Sequence, residues 1–424
     1  MERPSSFSVI LLAAFLALGL AASCTRGQTP RPNRLNTLLT NELSDTSSLH
    51  PMDKEIETFL QRWCMKGASL AVMRGDSLLY AKGYGWADEE KGIKMSPGTL
   101  LRVASVSKLV TATGIMVLKE RGLLDLEDKV FGPEGILNDE CYTSAIRDKR
   151  YFRITVDNLL RHEGGFTVRG GDPLFSTREI MRRFNLDTPP DSRTLVSKLL
   201  TRPLKYLPGS SSEYSNLGYL LLSMIIEKIT GEPYEDWMQD NVLRPAGCRD
   251  FHIAHNYYDK RYKGEARYYV QANDPEVPEY NGSDKMVTRC YGGNDIRALS
   301  GAGAWVTSVP ELALLVASID GRPHVPDILT MASVREMTRY YDDSTWSLGW
   351  SSTRPNQGWI RTGTLSGTSA LIYYFPDGEC WIIVTNTSSW KGPRFARNTK
   401  SLLRNLHQKY SRAMPERDFF YDSI

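Results

Sequence analysis

Apolar residues in the first folded part of the chain change period at short, well-marked boundaries. Ile56, Phe59, Leu60 and Trp63 recur at helical spacing and predict an amphipathic helix over Asp53–Lys66. Ala68–Met73 and Ser77–Ala81, joined across Arg74-Gly-Asp76, predict a β-hairpin whose second strand continues through Gly83–Ala87. Leu100–Val103 then leads into a long apolar helix that contains Ser105, runs to Arg121 and stops at Gly122.

Helical and loop patterns dominate from there to Val306. Val156–Arg161 is short and amphipathic, and Leu217–Ile229 is strongly apolar, closed by Gly231 with Pro233 beyond. Tyr234–Val242 and Pro310–Ala317 are further helices. Strand patterns return at Trp346–Trp350, Gly358–Thr362, Thr368–Phe375 and Cys380–Thr385, with a turn at Pro376-Asp-Gly378. Arg394–Tyr410 predicts a terminal amphipathic helix. Strands at both ends with helices between imply an α+β fold: one antiparallel sheet built from distant segments, flanked by helices, with a mainly helical region inserted. There is no internal repeat.

The N-terminal region has another character. Val9–Ala22 is apolar but shorter than the roughly 20 residues of a membrane span, and it fits a secretory h-region. Leu20-Ala-Ala-Ser-Cys24 resembles a bacterial lipobox. That implies a signal peptide of lipoprotein type over residues 1–23, lipidation of Cys24, and an exported protein anchored to a membrane of the cell envelope. Residues 24–50 are polar, lack a sustained apolar period and are expected to form a flexible tether. The folded domain is expected to span 51–410, followed by a C-terminal tail over 411–424. The other five cysteines, Cys64, Cys141, Cys248, Cys290 and Cys380, are an odd, scattered set that does not suggest a disulfide framework.

Of the 424 residues, 41% are hydrophobic and 24% charged, and the net charge is only +3, too balanced for nucleic acid to be the main partner. A small-molecule or peptide substrate is the expected partner. Cys248, His252 and His255 lack a fourth ligand, so no metal and no cofactor is expected. Tyr257–Tyr291 carries seven tyrosines among charges and either lines a cleft or forms a surface excursion.

Ser105-Val-Ser-Lys108 places a hydroxyl and an amine one helical turn apart where a helix begins. An amine with a lowered pKa can activate a serine hydroxyl, and the helix N-terminus adds partial positive charge for an oxyanion. A second Ser-x-x-Lys, Ser388–Lys391, shows that the spacing alone is weak. Tyr214-Ser-Asn216 is the only Tyr-x-Asn in the chain; Tyr214 can relay a proton and Asn216 can hold an amide, although such a turn also suits a helix cap. Arg361-Thr362-Gly363-Thr364 can offer a strand edge for close approach, a Thr364 N–H to an oxyanion, and an arginine to a substrate carboxylate or to the electrostatics of the site.

In this order the three motifs resemble the signature of penicillin-recognising serine enzymes, in the branch of class C β-lactamases, D-alanyl-D-alanine carboxypeptidases and family VIII-like esterases. Leu101–Lys108, Leu159–Phe166, Tyr214–Tyr219, Ser300–Gly303 and Thr362–Ala370 all look like blocks of that family, and the resemblance covers roughly residues 53–408. It implies a β-lactamase/transpeptidase-like fold and a serine hydrolase. Ser105 would be the acylated nucleophile, Lys108 its base and Tyr214 the acid/base. Asn216, Arg361, Thr362, Gly363 and Thr364 would bind substrate, with the Ser105 and Thr364 N–H groups as oxyanion hole and His162 as structural support. Two positions depart from the pattern: Arg361 replaces the usual Lys or His, and His162-Glu-Gly-Gly165 replaces the commoner His-Thr-Ser-Gly. The expected substrate is an ester or amide such as a D-alanyl peptide; the alternatives are a true class C-like β-lactamase and an inactive binding protein on the same fold.

Overall fold

The computed structural model describes residue 32 and residues 34–168, 171–342 and 345–423. The leader over 1–23 and Cys24 lie outside the described residues. The labelled elements are α1 (His50–Arg62), β1 (Gly67–Arg74), β2 (Ser77–Asp88), β3 (Ile93–Lys94) and α2 (Ser107–Glu120), then α3 (Asn216–Thr230) and α4 (Val309–Ala317), and last β4 (Trp359–Leu365), β5 (Thr368–Tyr374), β6 (Glu379–Thr385) and α5 (Ala396–Tyr410).

The six strands form one antiparallel sheet in the order β3-β2-β1-β6-β5-β4. Its centre joins the two ends of the chain, with Leu70 of β1 opposite Ile383 of β6. Alternation along the strands sorts apolar side chains onto two faces. Leu70, Val72, Leu371 and Ile383 face Met52, Ile56 and Leu60 of α1 and Leu403 and Leu406 of α5. Ala71, Met73, Ile372 and Ile382 share the larger core with α2, α3 and α4. Every residue of α2 from Ser107 to Leu118 is buried, so the apolar run after the Ser-x-x-Lys is the central helix of that core.

Most predicted elements are present with ends shifted by a few residues. Trp346–Trp350 differs: it is a loop, not a strand. Its apolar alternation serves anchoring instead of pairing. Leu348 and Trp350 are buried, and Gly349 turns with φ +78 so closely over α2 that an added Cβ would lie 3.0 Å from Leu109 Cα.

The expected tether over 24–50 is corrected from residue 34 onward. Leu35–Leu38 forms a helical turn, and Leu35, Leu39 and Leu49 are buried. Asn41 Oδ1 accepts from Gly83 N (2.8 Å) and Ser44 Oγ from Ala81 N (3.0 Å), so polar side chains occupy ladder positions along the edge of β2 that β3 leaves uncovered. The expected tail over 411–424 is packed as far as it is described, to residue 423. Asp418 Oδ1 accepts from Leu78 N (3.0 Å), Phe419 N donates to Leu78 O (2.9 Å), and Phe420 is fully buried.

Candidate active site

Ser105 sits on a sharp turn. Strand Leu101–Arg102, paired with Trp305–Thr307, delivers the chain to Ala104, which adopts φ +48 without being glycine. A 3₁₀ turn over Ala104–Val106 then opens into α2. Ser105 Oγ accepts a hydrogen bond from Tyr214 Oη at 2.6 Å and lies 3.4 Å from Lys108 Nζ. The i, i+3 spacing therefore places hydroxyl and amine together.

Lys108 is fully buried and anchored by two further acceptors, Asn216 Oδ1 (2.6 Å) and Ala302 O (2.5 Å). Burial drives its pKa down to about 8, against the pull of Tyr214 and with the help of Arg361. For Tyr214, burial pushes the phenol up, but the cations Lys108 and Arg361 outweigh it and the net displacement is downward. Lys108 Nζ also lies 4.7 Å from the centre of the Tyr214 ring. Nucleophile, amine and phenol thus share a small proton-exchanging cluster.

Tyr214 and Asn216 are placed by the start of α3. Ser215 caps the helix by accepting from Gly218 N, while its own N–H donates to His162 Nδ1 at 3.1 Å. His162 is buried in a left-handed conformation, φ +60. Burial, then the charges of Lys108 and Arg361, hold its pKa well below the usual histidine value, so it is neutral and supports the Tyr214 turn. Its ring packs 4.6 Å from that of Tyr214 and 4.8 Å from that of Trp346.

β4 runs along the other side of Ser105. An added Cβ at Gly363 would lie 2.3 Å from Val103 O and 3.2 Å from Ser105 N, so only glycine allows this approach. Ile360 N donates outward to Ser352 O and Thr362 N to Ser351 Oγ. The same two-residue period turns the Thr364 N–H to that outer edge, beside Ser105. The Arg361 side chain lies on the face of β4 that Gly363 turns toward Ser105. It is 1% exposed, and its Nε (2.7 Å) and Nη2 both donate to the Ser105 carbonyl. A guanidinium buried beneath the nucleophile does not reach a substrate carboxylate, which corrects that expected role. Its charge acts on Lys108 and Tyr214 instead.

Two participants, Asp172 and Trp346, carry no motif, and a third, Ala302, acts from inside the Ser300–Gly303 block. Asp172 Oδ2 accepts from Asn216 Nδ2 (2.7 Å), and its Oδ1 accepts from Leu174 N (2.9 Å). An Asp-Pro pair capping a turn is the only sequence signal there, and it is generic. Ala302 acts through its backbone, which no side-chain pattern reveals. Trp346 was assigned to a strand. Ser388–Lys391, by contrast, follows β6, and Lys391 Nζ lies 4.6 Å from the Trp63 ring centre.

A cavity of about 570 Å³ opens beside Thr364, between Phe175, Asn294 and Trp390. The stretch 257–291 contributes Gln271, Asn273, Asp274, Pro275 and Arg289 to its wall. Its tyrosines do other work: Tyr268 is buried against Arg102, 4.2 Å from ring centre to guanidinium carbon. Cys248 Sγ donates to Glu311 O, and His252 stacks on Tyr262.

A six-stranded sheet with an inserted helical region, and a serine at a helix start facing an amine, a phenol and a strand edge, define a fold and site of the β-lactamase/transpeptidase type, whose members are largely serine hydrolases. The beta-lactamase family profile matches residues 52–406, and the chain belongs to that family. It is 24% identical over 387 residues to Protein flp of Staphylococcus aureus (strain N315), covering 88% of this chain and 69% of that one. Over 211 residues it is 29% identical to Penicillin-binding protein 4* of Bacillus subtilis (strain 168), 49% of this chain and 42% of that one. D-amino acid amidase from Ochrobactrum anthropi SV3 superposes with a TM-score of 0.65 at 18% identity, covering 87% of this chain and 100% of that one. The octameric penicillin-binding protein homologue from Pyrococcus abyssi gives 0.60 at 22%, covering 84% and 77%.

Proposed function

We propose that this protein is an exported hydrolase that cleaves an ester or amide through an acyl-enzyme at Ser105, with a D-alanyl peptide or a related small D-amino acid derivative as substrate. The observation that carries the reading is Ser105 Oγ held 2.6 Å from Tyr214 Oη and 3.4 Å from a buried Lys108 whose pKa is about 8. Ser105 Oγ attacks the carbonyl carbon as its proton passes into the Tyr214–Lys108 pair. The carbonyl oxygen takes negative charge between the Ser105 and Thr364 N–H groups. Tyr214 then protonates the departing nitrogen or oxygen as its bond to the carbonyl carbon breaks. Water attacks the resulting ester, giving its proton to the same pair, and the Ser105 oxygen leaves reprotonated. The relatives named for penicillin binding and for D-amino acid amides support this substrate class.

A panel of D-Ala-D-Ala peptides, D-amino acid amides, short-chain p-nitrophenyl esters and nitrocefin, with Ser105→Ala as control, tests the reading. Fast turnover of nitrocefin alone would favour a β-lactamase. An unmodified Ser105 after fluorophosphonate and penicillin treatment, with no turnover of any substrate, would favour a binding protein. Export and anchoring through a lipid on Cys24 belong to the same proposal. Fractionation after a wash at about 0.5 M salt, which removes surface-bound protein, supports them if the parent stays in the membrane fraction and Cys24→Ala does not; a parent released by the wash removes the anchor.

A further inference from the structure

Charge is distributed very unevenly over the body. The whole chain carries only +3, yet between residues 391 and 412 there are Lys391, Arg394, Arg397, Lys400, Arg404, Lys409 and Arg412 and not one Asp or Glu. In α5 the buried stripe is Thr399, Leu402, Leu403 and Leu406. At 100° per residue, Arg397 and Arg404 fall on the side opposite that stripe and are exposed, while Lys400 sits on the flank, partly buried, with its Nζ 5.5 Å from the Tyr373 ring centre. Nearby acids are engaged at one end of the helix: Glu55 pairs with Lys409 (2.9 Å) and Asp377 with His407 (2.9 Å). Among the described residues Arg394, Arg397, Arg404 and Arg412 enter no ion pair.

Local folding does not account for this arrangement. Arg397 stands in the first turn, where the helix dipole disfavours a cation, and Lys400 and Arg404 form a like-charge i, i+4 pair. Burial, then repulsion from Arg404 and Arg354, lowers the pKa of Lys400, so the cations disturb one another within the free body. An anionic partner converts that repulsion into attraction. Just before the helix stands Trp390, the most exposed large apolar residue among the described ones at 70%, with its ring 6.4 Å from that of Trp63 and Lys391 Nζ 5.4 Å from its centre. An exposed indole at the end of a cationic stripe suits the headgroup boundary of a bilayer, where aromatic rings and basic side chains both gain.

We propose that the α5 face, with Arg397 and Arg404 as its outward charges, Lys400 on its flank and Trp390 as its apolar contact, docks on an anionic phospholipid surface. The helix does not insert, because its apolar stripe is already spent on the sheet. Trp390 also borders the cavity beside Thr364, so docking brings that rim of the cavity close to the bilayer. The proposal rests on the surface alone and stands or falls independently of the chemistry at Ser105.

The test uses protein beginning at Thr25, which keeps the whole packed body from Pro32 onward and lacks both the apolar leader and Cys24. It should sediment with phosphatidylcholine vesicles containing about 30 mol% phosphatidylglycerol, remain in solution with phosphatidylcholine alone, and be released by about 0.5 M salt. Each cation near such a surface raises partitioning about fivefold, so R397Q/K400Q/R404Q should lose roughly a hundredfold. Brominated lipid should quench the tryptophan fluorescence of the parent, and that of Trp390→Phe much less. Thermal melting of each variant, which should match the parent, separates lost docking from lost folding. Equal partitioning of parent and triple variant would overturn the proposal. So would binding to soluble polyanions with none to anionic vesicles.

Discussion

Asp172→Asn offers the sharpest test of how the site sets its proton affinities. The Asp172 carboxylate holds Asn216 Nδ2 at 2.7 Å, and the other end of that amide meets Lys108 Nζ at 2.6 Å. The negative charge thus lies one amide away from the ammonium, a separation of ~6 Å, and it favours the charged lysine. Two unit charges at that distance interact by about 3 kcal/mol at an effective dielectric of ~20; solvent beside the half-buried Asp172 brings this to about 1–1.5 kcal/mol. Asparagine keeps the shape and an acceptor for Asn216 but removes the charge. Protonated Lys108 loses that support, and each 1.36 kcal/mol corresponds to about one pH unit. If neutral Lys108 is the active form, the acid limb of kcat/KM moves from about pH 8 toward about pH 7, and activity near pH 7 rises severalfold. The profile can be recorded with a p-nitrophenyl ester or, without turnover, from the rate of Ser105 acylation by a fluorophosphonate. A limb that stays in place would refute the claim that Asp172 acts on Lys108 through Asn216.

Gly363→Ala puts a methyl 2.3 Å from Val103 O, which must move β4 away from Ser105; kcat should fall by roughly 10²–10³-fold while cooperative melting persists, as steady-state kinetics and calorimetry would report. Asp320 is buried against Asp76, and burial followed by that neighbour raises the Asp320 pKa to about 8. The folded state therefore keeps a proton that the unfolded state releases above pH ~4, and stability falls with rising pH by up to about 1.4 kcal/mol per unit until pH 8. Asp320→Asn, which retains an acceptor for Tyr374 Oη, should reduce that slope in urea titrations across pH 5–8, leaving the part due to Asp327 and Glu311, whose pKa burial raises to about 6 and about 7. Asn41→Ala with Ser44→Ala uncovers two N–H groups of β2 and should cost about 1 kcal/mol each in the same denaturation assay.

What the sequence disclosed depended on whether the information was local. The hairpin, the apolar α2 and the cap at Ser215 arise from neighbouring residues, so periodicity and turn chemistry revealed them. Ser105 and Lys108 were legible for the same reason, being one turn apart. Residues 34–50 were not, because their polar side chains bond the edge of a distant strand, and polarity in a linear sequence looks like solvation. The alternation in Trp346–Trp350 imitated a strand, although the side chains pin a loop onto α2. Arg361 was recognised as part of the third motif, but its direction depends on the face of β4 that meets Ser105, which emerges only once Gly363 is seen against Val103.

That direction bears on why a guanidinium can stand at position 361. An amine there with a lowered pKa would compete with Lys108 for the same proton and blur which group serves as base. Arginine stays charged throughout the working range, and its planar fork donates twice to one carbonyl oxygen, so it contributes a fixed field instead of a mobile proton. That field lowers the pKa of Lys108 and Tyr214 together, whereas Asp172 raises that of Lys108. Proton transfer is thereby confined to the cluster of Ser105, Lys108 and Tyr214, between a permanent cation below the nucleophile and a carboxylate reached through Asn216. Changing either flanking charge should shift the pH at which the site works while leaving the three exchanging groups in place.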